Sequence, residues 1–114
     1  MKQAVTLKKN HEFRRLYQRG ASAAGASMVV YFRKNRLGHN RLGLTASVKL
    51  GGAVVRNRCR RRLREVYRLH NGRLRQGWDI ILVARGRTAT VPWQDLNRTF
   101  ERLCKKLDLL EDKP

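Results

Sequence analysis

The residue types that commonly do chemistry are sparse and scattered in this chain. His11, His39 and His70 stand far apart, with no second ligand at metal-binding spacing and no paired acids beside them. The two cysteines, Cys59 and Cys104, fall on apolar helical stripes, where a free cysteine is usually a small core residue. Two cysteines do not make a disulfide framework. Gly51-Gly52 precedes a helix and could offer backbone N–H groups to a phosphate, but without the Lys-Ser/Thr of a nucleotide loop it reads more simply as a tight turn. None of this amounts to a self-sufficient active site. The binding signals are stronger: nine arginines occur among the twenty residues 56–75, opposed only by Glu65. A solvated helix face normally interleaves acids three or four residues away to relieve such repulsion.

The whole chain repeats that bias. It has 114 residues with 27 Lys+Arg against 8 Asp+Glu, a net charge of +19. Asp108, Glu111 and Asp112 crowd the last seven positions, so residues 1–107 carry 26 basic and five acidic side chains, a net +21. Charge of this size calls for a polyanionic partner. Arginine outnumbers lysine, which favours phosphate forks and base stacking. Nucleic acid is the leading partner class; a well-solvated basic protein is the bland alternative and an anionic membrane surface a weaker one. No stretch reaches the roughly 18 apolar residues of a membrane span and no apolar signal core follows Met1, so a cytoplasmic protein is expected. The length predicts one domain, drawn as residues 1–107, followed by a short acidic tail at 108–114.

Hydrophobic periodicity places these residues on elements. Residues 1–9 read as a basic lead-in. A short helix follows, capped by Asn10, with Phe13, Leu16 and Tyr17 on one face and Gly20 closing it. Residues 21–27 are small, a loop or a short edge strand. Residues 28–33 alternate as a strand, with Val29, Tyr31 and Arg33 on one side, and 42–48 alternate as a second; the two are expected to pair as an antiparallel hairpin. Val55, Cys59, Leu63, Val66 and Tyr67 fall within one arc of about 120° on a helical wheel, opposite Asn57, Arg60, Arg61, Arg64 and Arg68, giving an amphipathic helix of about four turns. Residues 79–85 form a nearly continuous apolar run suited to a strand buried on both faces. Pro92 opens a last helix lined by Trp93, Leu96, Phe100, Leu103, Cys104 and Leu107. The order α-β-β-α-β-α predicts an α+β sandwich.

Aromatics beside arginines can make a stacking platform for unpaired bases. By periodicity alone, however, Phe13 and Tyr17 read first as core contacts of their helix.

The segment Gly51-Gly52-Ala53-Val54-Val55-Arg56-Asn57-Arg58-Cys59-Arg60-Arg61-Arg62-Leu63-Arg64-Glu65 resembles the Arg-Asn-Arg helix and Gly-x-Ala-Val lead-in of the protein subunit of bacterial ribonuclease P. Three further blocks keep the family's order: residues 7–13, 41–44 and 79–85. The resemblance covers nearly the whole chain apart from the acidic end. It implies a ribonucleoprotein that removes the 5′ leader from precursor tRNA, with a catalytic RNA subunit and Mg²⁺ held mainly by RNA. The arginine helix would dock on that RNA through Arg56, Asn57, Arg58, Arg60, Arg61 and Arg64, with Lys49 nearby. A cleft between the first helix and the sheet would hold the single-stranded leader with Phe13, Tyr17 and Tyr31, aided by Ser47 and Arg85. This reverses the core reading of Phe13 and Tyr17.

The resemblance also implies a mixed sheet of about four strands with three helices and a left-handed β-α-β crossover, against the usual right-handed preference. No obligate protein partner is implied. Arg60 stands where the family often has Lys, and Tyr17 where Phe is common. Competing readings are a ribosomal or ribosome-assembly protein that binds rRNA, a protein-only nuclease, for which the acids are too few and too dispersed, and a major-groove DNA reader, for which Asn57 alone is a thin set of base contacts.

Overall fold

The apolar run at the end of the chain's third quarter sets the architecture. In the computed structural model, which describes residues 5–111, it forms β5 (Trp78–Ala84), with Ile80, Ile81 and Leu82 all buried. A strand apolar on both faces needs a neighbour at each edge and cover on each side. On one edge β5 pairs antiparallel with β3 (Met28–Lys34), from Met28 opposite Ala84 to Lys34 opposite Trp78. On the other it pairs parallel with β4 (Arg41–Thr45), from Arg41 opposite Asp79 to Thr45 opposite Val83. The expected hairpin of 28–33 with 42–48 is therefore wrong: β5 lies between the two, because its two-sided apolar surface takes the centre.

Two short strands complete the sheet, in the order β1-β4-β5-β3-β2. β1 (Val5–Thr6) pairs parallel with β4 and arises from the segment read as a basic lead-in. β2 (Ala21–Ala24) is the edge strand left open by the sequence, antiparallel to β3. The sheet thus has five strands rather than about four; two or four residues carry too little alternation to be seen.

Three helices cover it. α2 (Ala53–His70) and α3 (Trp93–Lys106) pack on one face, burying Leu63, Val66, Leu96, Phe100 and Leu103 against Val30, Leu42 and Leu82. α2 is five turns long, one more than expected, and Val55 stays 37% exposed at its start instead of joining the core. α1 (Asn10–Arg19) lies alone on the opposite face, where Leu16 meets Ile81 and Leu7, with Phe13, Tyr31 and Val83 around them. Asn10 is the first helical residue rather than its cap; Lys9 precedes it, and the Glu12 carboxylate accepts the Lys9 N–H at 3.4 Å. The chain also packs beyond the boundary drawn at 107. Leu109 and Leu110 are buried, Leu110 bridges Leu74, and Arg75 N–H donates to Leu109 C=O at 2.7 Å. Two leucines among three acids were hidden by the charge, so only the end of the tail is peripheral.

With so small a core beneath it, α1 depends on a polar clamp. Arg41 donates to Glu12 on α1 at 2.8 Å and to both oxygens of Asp79 on β5, at 2.8 and 2.7 Å. Burial would raise the Asp79 carboxyl, but hydrogen bonds from Arg41 and Asn35 and the Arg41 charge outweigh it and hold it below its ordinary value. Glu12 behaves alike: burial raises it, while the Arg41 hydrogen bond, the backbone N–H donors and the Arg41 charge prevail. Folded-state values depressed in this way stabilise the fold above the unfolded carboxyl range, about pH 4, and that contribution vanishes as pH falls through the folded values. Arg41→Leu should cost about 2–3 kcal/mol at pH 7, less than a fully buried pair because the guanidinium keeps some water. Thermal melts should show the gap between wild type and variant closing as pH drops from 5 to 2; a constant gap would mean the clamp contributes packing rather than charge.

Candidate nucleic-acid interface

The arginines of α2 divide by role once the helix is docked. Arg62 points toward α3 and donates to the carbonyls of Thr88 and Val91 at 2.7 and 2.6 Å, tying down the loop after β5. Arg56 donates to the Ala46 carbonyl at 3.0 Å and holds the end of β4 to the first turn. Arg60 donates to Asn57 Oδ1 at 3.0 Å, and Arg68 pairs with Glu65, the one acid of the helix. That leaves Arg58, Arg61 and Arg64, exposed at successive turns of the outer face, with no hydrogen bond or ion pair among the described residues. Lys49 is exposed on the single turn Val48–Leu50 just before the helix. Like charges three residues apart repel, so the free helix carries repulsion that a polyanion turns into attraction.

On the other face of the sheet, α1 overhangs β3, β4 and β5 with its aromatic flank. Phe13 lies on Gly43: a Cβ there would come within 2.8 Å of the ring, so a side chain at 43 would displace it. Tyr17 meets Tyr31 edge-on, with ring centroids 4.9 Å apart at 81°, and its hydroxyl lies 3.0 Å from Thr45 Oγ1. Tyr17 remains 40% exposed. The three aromatics thus form one half-open wall over Val83, partly core and partly surface. Ser47 and Arg85 are not in contact with them. They sit just past the ends of β4 and β5, each two residues beyond the Thr45–Val83 pair, so they can only form the rim. Arg85 is steadied from behind, its N–H donated to Thr88 Oγ1 at 2.8 Å.

Sequence reasoning missed Gly43 and Thr45 as the floor of this cleft, although the alternation of β4 already set them opposite Leu42 and Leu44. It also missed the Arg41 clamp, whose partners lie 29 and 38 residues away. The groups set aside as catalysts stay so. Burial pushes the Cys59 thiol up and that of Cys104 to about 12, leaving little thiolate at neutral pH. His70 is buried against Phe100, its Nδ1 2.9 Å from the Val66 carbonyl. Among the described residues, no three His, Cys, Asp or Glu side chains gather as a metal site.

An exposed arginine row on one face and an aromatic cleft on the other define a small nucleic-acid-binding α+β protein. Residues 1–108 match the family model described as Ribonuclease P. The ribonuclease P protein component of Natranaerobius thermophilus is 46% identical over 111 residues, covering 97% of this chain and 96% of that protein. Its counterpart from Caldanaerobacter subterraneus subsp. tengcongensis is 44% identical over 114 residues, covering 99% and 98%. Among solved structures, the Staphylococcus aureus RNase P protein superposes with a TM-score of 0.84 at 34% identity, covering 96% of this chain and all of that one. The Thermotoga maritima RNase P protein gives 0.80 at 28% identity, covering 89% and 96%. The chain belongs to the ribonuclease P protein family.

Proposed function

We propose that this chain works as the protein subunit of a bacterial ribonuclease P, holding a catalytic RNA on one face and the 5′ leader of precursor tRNA on the other. The carrying observation is the separation of the two surfaces: the arginine row stands on α2, outside one face of the sheet, and the aromatic wall stands under α1 on the opposite face. A protein built this way can sit between two RNA segments. The relatives named above favour this reading over an rRNA-binding protein without a catalytic partner.

Arg58, Arg61 and Arg64, helped by Lys49, Asn57 and Arg60, neutralise backbone phosphates of the catalytic RNA, and Arg56 fixes the helix to the sheet so that the row is presented rigidly. Phe13, Tyr17 and Tyr31 stack or flank unpaired bases, with Ser47 and Arg85 at the rim for the strand's backbone. Stacking reads every base face alike, which suits leaders of varied sequence. The protein supplies no nucleophile or base; bond cleavage is the work of the RNA. Mg²⁺ in this reading is held by RNA, since Glu12 and Asp79, which approach each other through Arg41, are already paired with it. Charge neutralisation by the protein lets functional Mg²⁺ bind at lower concentration. A cytoplasmic location follows from the partners.

The test is the affinity of catalytic RNA for precursor and mature tRNA, with and without the protein. Adding the protein should raise precursor affinity at least tenfold over mature tRNA, whatever the leader sequence. Equal gains for both would remove the leader from the protein's surface.

A further inference from the structure

α1 has a second flank. Leu16 points into the sheet; Phe13 and Tyr17 lie to one side of it, and Glu12 and Arg15 to the other. On that other side is a groove of about 560 Å³, floored by Leu16 and walled by the end of β3 and the loop beyond it. None of the three cleft aromatics lines it. Its charge is lopsided. Glu12 and Asp79 are both paired with Arg41, while Arg15, Lys34 and Arg36 line the groove with no hydrogen bond or ion pair among the described residues.

The loop is built to present one of these. Asn35 accepts the Leu37 N–H at 2.8 Å and donates to the His39 carbonyl at 3.1 Å and to Asp79 at 2.9 Å. Between those anchors Arg36 is held at φ 65°, a left-handed conformation that a long side chain rarely adopts. Lys34 pairs with Trp78, and Asn40, at the end of the same loop, is laced to the return from α2: its Nδ2 donates to Arg75 C=O at 2.9 Å, and Trp78 N–H donates to its Oδ1 at 2.9 Å. The C-terminal end of the arginine helix and this groove therefore open at the same end of the sheet.

We propose that the groove is a second RNA-backbone site, taking phosphodiesters of a folded segment of the catalytic RNA that curls round this end of the protein. The absence of any aromatic platform in it fits backbone contact rather than the stacking of unpaired bases, and α1 walls it off from the leader cleft. The inference rests on the reading of α2 as the face for the catalytic RNA.

Binding of a bacterial ribonuclease P RNA transcript should be titrated across salt for three proteins: wild type, the groove variant Arg15→Gln/Lys34→Gln/Arg36→Asn, and the helix variant Arg58→Gln/Arg61→Gln/Arg64→Gln. Asparagine tolerates the left-handed backbone at 36, and thermal melts of both variants check that each is folded. The groove variant should lose about two to three from the slope of log K against log salt, close to 0.9 per phosphate released. Its affinity should fall tenfold or more at moderate salt. Arg36→Asn alone should remove about one from the slope. A wild-type slope in the groove variant beside a weakened helix variant overturns the groove alone. Full binding by the helix variant would instead take down the reading of α2, with the groove still decided by its own slope. A groove-variant defect seen only with precursor tRNA, growing with leader length, would assign the groove to the leader and overturn the proposal.

Discussion

Replacing Arg58, Arg61 and Arg64 with glutamine should weaken binding to the catalytic RNA roughly a hundredfold at moderate salt, with little change in thermal stability. Each of the three guanidinium groups is exposed on the outer turns of α2 and bonded to nothing among the described residues, so its loss leaves no orphaned partner. Each phosphate contact removed takes about 0.9 from the salt slope, so the defect should shrink as salt rises. Arg62→Gln is the internal contrast. It strips the carbonyls of Thr88 and Val91 of their donor, and should lower the melting temperature while leaving the salt slope as it was. If the exposed triple variant instead melted early and kept its salt slope, the division of the helix into a binding row and a structural arginine would be wrong.

The second large effect belongs to the cleft. Phe13→Leu together with Tyr17→Leu should cut the preference of the holoenzyme for precursor over mature tRNA by about 30-fold or more, since base stacking on an aromatic is worth about 1–3 kcal/mol per base. Leucine keeps apolar volume over Gly43 and Ile81, so α1 stays seated. Tyr17→Phe removes only the hydroxyl that meets Thr45 Oγ1 and should change the preference less than twofold. Binding of mature tRNA should be untouched in both variants. An unchanged ratio in the double variant would return Phe13 and Tyr17 to the role periodicity first gave them, as core contacts.

The structure in fact gives Phe13 both roles, and that duality explains why the sequence alone could not decide. Periodicity reports which residues share a face, and the face of α1 that holds Leu16 is apolar whether it is sealed or half open. Only the sparse core on that side of the sheet, with Leu7, Leu16 and Ile81 fully buried, leaves the aromatics within reach of a ligand. The arginine row was legible because charge density and helical spacing are both local properties. Which arginines were free was not, since Arg62 and Arg56 find acceptors 26 and 10 residues away. Strand order failed for the same reason. Residues 28–33 and 42–48 are neighbours in sequence with a plausible turn between them, and nothing local says that a later strand, apolar on both faces, will enter between them. The short strands β1 and β2 owe their existence to a template strand beside them rather than to their own composition. The packed leucines at 109 and 110 were masked by the three acids around them.

Everything above turns on a protein that contributes binding surfaces to a reaction carried out by RNA. Single-turnover cleavage of a precursor tRNA, at roughly physiological Mg²⁺ and moderate salt, tests that directly when run with the catalytic RNA alone, the protein alone and the two together. Efficient cleavage at the mature 5′ end only when both are present is the expected result. Cleavage by the protein alone, or a rate for the RNA that the protein leaves unchanged, would contradict it.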